Sequence, residues 1–382
     1  MTASSPPGAL DLTITRLVAG GDGLGFRDGK AVFVPGVLPG ERVRVRLSRR
    51  RRDYDHAALL EVVEPSPQRV SPGCRYAGAR AGSCGGCDWQ HIRYEEQLRQ
   101  KAAITAEALR RTGGIEVSEP GVEPSEPWGA RNRVQLHVSE GGGLGYMGSA
   151  SSRVVPVASC PIAAPALQPV FRTPPPGVSL DRFTVFGSEE VLAVEGPDDH
   201  RDLAVTVNGR RILFSVGCFF QSNLGVLGKL VSWILEGLHG RAAADLYCGV
   251  GLFAAFLSGQ FSRIICVESS TMSISFARRN VPGSSHDFYP VRVEQWILTS
   301  AARETLDAVV VDPPRAGLGP QVCRWLAENG PPVLRYVSCN PVTLARDLAA
   351  LRAGGYALEE LRLFDFYPQT SHIEAAARLT RP

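Results

Sequence analysis

The chain has 382 residues, enough for two or three domains with ordinary cores, and its net charge of +3 is too small to announce nucleic acid by itself. Hydrophobic residues make up 44%, yet no apolar run approaches the ~18 residues of a membrane span, and the first residues lack the basic and apolar regions of a secretory signal. Nine scattered cysteines, an odd number, argue against a disulfide framework and for a reduced, cytoplasmic setting.

Residues 9 to 64 read as a small all-β module, which places a first domain at 1–66. Leu10, Leu12 and Ile14 alternate with Asp11, Thr13 and Thr15, as a half-buried strand requires. In "ERVRVRL", Val43, Val45 and Leu47 face a core while Arg42, Arg44 and Arg46 line the other side, and Arg49 to Arg52 extend that edge. Seven arginines within residues 42–52, with no acid among them, are either a solvated strand face or a footprint for a phosphate backbone. Pro65, Pro67 and Pro72 then mark a linker.

A second domain is expected over 67–209. It starts with a helix across 91–112, with Tyr94, Leu98, Ala102, Thr105 and Leu109 on one face and Gly113-Gly114 as the stop. Beyond it "ARNRVQLHV" and "RVVPVASCPI" are strand candidates and "RTPPPG" is a loop. From 210 to 382 short apolar strands ("AAADLYC", "RIICVES", "LDAVVVDPP") alternate with helical stretches, which predicts an α/β domain on a mostly parallel sheet.

The chemistry gathers at the ends of those strands. "DLYCGVGLF" feeds Gly249-x-Gly251 into a helix, a turn whose glycines allow close approach of a ligand. Glu268, 23 residues after Asp245, is placed to bind a ribose diol; the alternative is a plain charge at a helix start. With one short glycine turn and no phosphate-binding lysine, S-adenosylmethionine (SAM) fits better than NAD or ATP. Asp312-Pro313-Pro314 holds a carboxylate at the next strand end, because the prolines deny both helix and ladder continuation. Cys339, in "YVSCNP", ends the strand after that, and Glu374 stands just before the last one.

A thiol and a carboxylate around a methyl donor suit one reaction in particular. Uracil C5 is a poor nucleophile until a thiolate adds to C6, and a base must then remove the C5 proton. Elsewhere "CRYAGARAGSCGGC" supplies Cys74, Cys84 and Cys87, and "SCPI" supplies Cys160. Three clustered thiols with a distant Cys-Pro suit an iron–sulfur cluster better than zinc, which more often uses two CxxC pairs; bare structural thiols are the third reading. Cys218, Cys248, Cys266 and Cys323 read as core packing.

Taken together, the basic β-module, C-x9-C-x2-C, the distant Cys-Pro, "FFQSN", "DLYCGVG", "DPPRAG", "SCNP" and "YPQTSHIE" resemble the bacterial RNA 5-methyluridine methyltransferases. The branch most similar is the TRAM-containing, [4Fe–4S] 23S rRNA (uracil-C5)-methyltransferases. The resemblance implies a Rossmann-like class I SAM methyltransferase domain, preceded by an OB-like TRAM barrel and a β-rich domain bearing the cluster. It implies Cys339 as nucleophile, Glu374 as base, and Gln221, Tyr247, Glu268 and Asp312 as cofactor contacts. Cys74, Cys84, Cys87 and Cys160 match the cluster ligands. RNA is the implied partner, 23S rRNA ahead of tRNA. No membrane is expected from the apolar runs, and a monomer is the default expectation, since nothing in the sequence reads out oligomeric state.

The chain departs from the pattern at Leu252 and Arg292, where Asn, and Asn or Asp, are usual; the first cysteine interval is also long. Two rival readings follow. A SAM-dependent base N-methyltransferase would leave Cys339 and Glu374 without work, and an Fe–S RNA-binding or redox-sensing protein would not bind SAM. The module around Arg42–Arg52 and the strand with Arg131 and Arg133 are expected to grip the RNA backbone.

Overall fold

The computed structural model describes residues 9–78, 82–173, 181–189, 192–196 and 201–382. Most of the expected "RTPPPG" loop lies outside them.

The first five strands, Ala9–Leu17, Gly23–Arg27, Lys30–Val34, Arg42–Arg50 and Tyr54–Glu64, close into a barrel in the order first, second, third, fifth, fourth. Strand alternation puts Val43 and Val45 in its core with Leu12, Ile14, Val32 and Val34. The opposite face is less basic than its sequence suggests. Arg42 pairs with Asp11 and Glu64, and Arg44 with Asp11 and Glu61, all brought alongside by neighbouring strands. Arg49 to Arg52 stay exposed at the end of the hairpin.

A five-stranded sheet carries the cysteine region, in the order Leu192–Val194, Arg182–Gly187, Arg133–Val138, Leu144–Met147, Val154–Pro156. Cys84 and Cys160 join its core beside Leu136, Val157 and Phe183.

The third unit is an eight-stranded sheet. Its order is Asp287–Tyr289, Phe261–Val267, Gly240–Leu246, Ala308–Val311, Val333–Ser338, Ala375–Thr380, Ala357–Phe364 and Gly121–Glu123. The first five are mutually parallel and Ala375–Thr380 is inserted antiparallel. Strand order reverses about Gly240–Leu246, so a crevice opens at the carboxyl ends of that strand and Ala308–Val311. Cys218, Cys248, Cys266 and Cys323 are buried in the cores on its two faces, as core-packing thiols should be.

The expected domain boundary at 209/210 falls inside a hairpin. Leu203–Val207 pairs with Arg210–Phe214, and both strands pack with Leu224–Leu235 and the eight-stranded sheet. Gly121–Glu123 also joins that sheet, although it lies within the expected central domain. The helix of that region, Tyr94–Ala108, ends in a wide turn at Gly113 with Gly114 left-handed, as the paired glycines predict. Of its expected face Ala102, Thr105 and Leu109 are buried and Tyr94 and Leu98 half so, and the buried side is wider than expected because Gln97, Lys101, Ile104 and Ala108 are buried too. Among the described residues no helix is long and apolar enough to cross a membrane.

Candidate active site

Strand Gly240–Leu246 hands the chain to a turn whose backbone departs from ordinary conformations, with φ of +63° at Tyr247, +54° at Gly249 and +80° at Gly251. The two glycines do different jobs. A Cβ on Gly249 would meet nothing within 4 Å, leaving the backbone open to a ligand, whereas one on Gly251 would lie 3.0 Å from the Ala277 backbone. Glu268 ties the turn to the next strand, one oxygen accepting from the Gly249 N–H at 3.2 Å and the other from Ser270 at 2.7 Å. Beneath it Asp245 accepts from the Ala254 N–H at 2.8 Å through Oδ2, while its Oδ1 is buried without a partner. Burial pushes that carboxyl up to about 8.

All six residues expected to act on cofactor or substrate, Gln221, Tyr247, Glu268, Asp312, Cys339 and Glu374, line one cleft of about 850 Å³. That is the size and place expected of a small-molecule site in an open α/β sheet. Cys339 is half-buried where strand Val333–Ser338 meets helix Pro341–Ala353, whose first turn is capped by the Asn340 side chain. Glu374 is only 4% exposed. Burial pushes Asp312 up to about 7 and Glu374 well above the carboxylate range, with the Asp312 charge adding to the effect on Glu374.

The thiol is not the readily ionised group a polar strand end suggests. Burial and the facing Glu374 and Asp312 carboxylates push Cys339 up to about 11, opposed by the guanidinium of Arg315. Arg315 also lowers Glu374 and lies 3.2 Å from the His372 ring. Neither Arg315 nor His372 stood out in the sequence as a site residue, although "DPPRAG" and "SHIE" contain them. Arg131 lines the cleft too, its guanidinium 5.6 Å from the centre of the Tyr367 ring. Arg133 is turned inward to donate to the Cys218 carbonyl, so only Arg131 of that pair faces the cleft. Leu252 and Arg292 also line the cleft, Leu252 as apolar wall and Arg292 at the start of the Val293–Trp296 helix.

The donors here fit SAM. The Gln221 side-chain oxygen is buried and without a protein partner, as is Asp245 Oδ1. Buried polar atoms left unpaired call for a ligand.

Cys74, Cys84, Cys87 and Cys160 line a separate small cavity with Tyr146 and Gln90, all four thiols free. Burial raises Cys84, Cys160 and Cys87, the last to about 12, and the thiols raise one another: Cys160 acts on Cys84 and on Cys87. Among the described residues, however, no group of three or more potential ligands is close enough to hold a metal ion. The donor chemistry fits a soft metal, and the observed packing is that of a core.

A doubly wound sheet with a glycine turn at its reversal point and an acid after the following strand is a nucleoside-cofactor site. With Ala375–Thr380 inserted antiparallel it has the fold of a SAM-dependent methyltransferase, as the similar proteins bear out. The family model for tRNA (uracil-5-)-methyltransferase matches residues 194–293 and 290–382, and that for the TRAM domain matches 9–60. An uncharacterized RNA methyltransferase of Streptomyces avermitilis is 34% identical, covering 92% of this chain and 93% of its own. The 23S rRNA (uracil(1939)-C(5))-methyltransferase RlmD of Edwardsiella ictaluri is 31% identical, covering 96% and 95%. The crystal structure of Pyrococcus abyssi tRNA (uracil-54, C5)-methyltransferase with S-adenosyl-L-homocysteine superposes with a TM-score of 0.74 at 25% identity, covering 97% and 100%. The chain belongs to the RNA (uracil-5-)-methyltransferase family of SAM-dependent enzymes, with an N-terminal TRAM barrel.

Proposed function

We propose that the chain converts a uridine of 23S rRNA to 5-methyluridine. The observation that carries this is one cleft holding a thiol, a buried carboxyl group and the glycine turn, with Glu374 close enough to Cys339 to raise it. When bound, SAM supplies an electrophilic methyl group, held by Gln221, Tyr247, Glu268 and Asp312. Cys339 as thiolate forms a bond to uracil C6, which makes C5 a nucleophilic enolate carbon. After C5 has gained the methyl group, Glu374 in its ionised form, made a stronger base by its burial, takes the C5 proton; the C5–H electrons restore the C5–C6 double bond and the thiolate leaves C6. A base in folded RNA is stacked, so the substrate uridine is unpaired or flipped out, with the exposed Arg49–Arg52 edge and Arg131 on the backbone.

The cysteine quartet is proposed to hold a [4Fe–4S] cluster, supported by four thiols on one cavity and their mutual charge interactions. The choice of 23S rRNA rests on the curated relative that acts on it; the archaeal structure, with similar coverage, favours a tRNA and supplies the second reading. Transcripts of 23S rRNA and of tRNA made with [5-³H]uridine distinguish them. SAM-dependent tritium release from the 23S transcript, lost in Cys339→Ala, is expected. Methyl transfer without tritium release would overturn C5 chemistry, and release from tRNA alone would overturn the rRNA assignment.

A further inference from the structure

The segment that delivers Glu374 runs from the end of strand Ala357–Phe364 into strand Ala375–Thr380, and Phe364 N–H donates to the Glu374 carbonyl to close its base. Beside local bonds such as Phe366 N–H to the Phe364 carbonyl and Thr370 to the Tyr367 carbonyl, it has anchors from far away in the chain. Lys101 Nζ donates to Asp365 Oδ1 at 2.6 Å and to the Tyr367 carbonyl at 2.9 Å, and Tyr94 donates its hydroxyl to Asp365 Oδ2 at 2.8 Å. One turn earlier on the same helix, Gln97 exchanges a reciprocal pair with Gln369: its Oε1 accepts the Gln369 N–H at 2.9 Å and its Nε2 donates to Gln369 Oε1 at 3.0 Å. Trp89 N–H donates to the Gln369 carbonyl at 3.1 Å, and Ser371 N–H to Asp88 at 2.9 Å. The side chains of Lys101, Gln97 and Asp365 are buried.

Two features make this more than packing. A buried ion pair is a poor source of stability compared with apolar side chains of the same size, but it permits one registry only. Gln369, a non-glycine residue, is left-handed with φ +66° while 3% exposed, and the Gln97 amide occupies the very groups that conformation presents. Tyr367, His372 and Glu374, all spaced along this segment, line the catalytic cleft.

We propose that Lys101 and Gln97 are positioning residues for the base. They fix the 365–373 segment so that the Glu374 carboxylate reaches the C5 proton, and they act on the elimination step rather than on methyl transfer. The inference rests on Glu374 being that base. Elimination that lags behind methyl transfer leaves Cys339 bonded to C6 of a methylated uracil, so the protein–RNA adduct is a readout that general destabilisation would not raise.

The experiment uses the full chain, a 23S transcript with [5-³H]uridine and methyl-labelled SAM. It follows tritium release and the denaturation-resistant, methyl-labelled adduct for wild type, Glu374→Gln, Gln97→Leu and Lys101→Met. Lys101→Met/Asp365→Asn is included because it leaves no unpaired buried charge if the single variant fails to fold. Expected is an adduct at least tenfold above wild type in Glu374→Gln and in the Lys101 and Gln97 variants, with slowed tritium release. An adduct in Glu374→Gln alone overturns the positioning role and leaves the base intact. No adduct in Glu374→Gln overturns the base, and the positioning role with it.

Discussion

Removing the Arg315 side chain tests the electrostatics of the cleft at a place where little else changes. The loop around Arg315 is held by its main chain: its carbonyl accepts from Asn340 Nδ2 and from Thr343 Oγ1, each at 3.2 Å, and both bonds survive Arg315→Met. The lost guanidinium is exposed, so its interaction with a nearby anion is worth about 1 kcal/mol. That corresponds to about 0.7 of a pKa unit, or roughly a fivefold change in the ionised fraction. The native thiol already sits at about 11. Near pH 8 only about one in a thousand is thiolate, and the rate gains about tenfold per pH unit. Arg315→Met raises Cys339 further, so at saturating RNA single-turnover tritium release limited by thiolate formation falls about fivefold and its pH curve moves up by about 0.7. An unchanged curve at saturating RNA, with only more RNA needed for half-saturation, would refute the argument and make Arg315 an RNA contact alone.

Asp245 links pH to stability. Its carboxyl is pushed to about 8 from an ordinary 3.8, so between those values the folded chain binds the extra proton and loses stability as pH rises. The slope is at most about 1.4 kcal/mol per pH unit, and Asp245→Asn without SAM flattens that share of the urea-unfolding profile; a parallel profile refutes it. Gly251→Ala combines φ +80° with a Cβ 3.0 Å from Ala277, and unfolding is expected about 1–3 kcal/mol earlier, with weaker SAM binding by calorimetry. Anaerobically purified chain is expected to carry iron and sulfide with visible absorbance, all lost in Cys87→Ser. Zinc, or no metal, in the wild type would remove the cluster.

The sequence revealed the site better than it revealed the walls that hold it. Tyr247, Glu268, Asp312, Cys339 and Glu374 lie at the ends of strands or in the turns beside them, so apolar runs followed by chemistry located them, and the sheet collects such ends on one edge. Arg315 and His372 escaped because their role is electrostatic and belongs to a three-dimensional neighbourhood, not to a spacing. The helix Tyr94–Ala108 shows the deeper reason. Hydrophobic periodicity assigned its buried face to Tyr94, Leu98, Ala102, Thr105 and Leu109, but the chain buries Gln97 and Lys101 as well, against Gln369 and Asp365, partners more than 260 residues away. A buried polar residue is indistinguishable from a surface one until its partner is known. The same long-range pairing draws 94–123 onto the catalytic sheet, where a domain boundary drawn from local texture puts it in another unit. Where a fold is closed by polar bonds between distant segments, the pattern rules fail at those bonds, and here they surround the base the reaction needs.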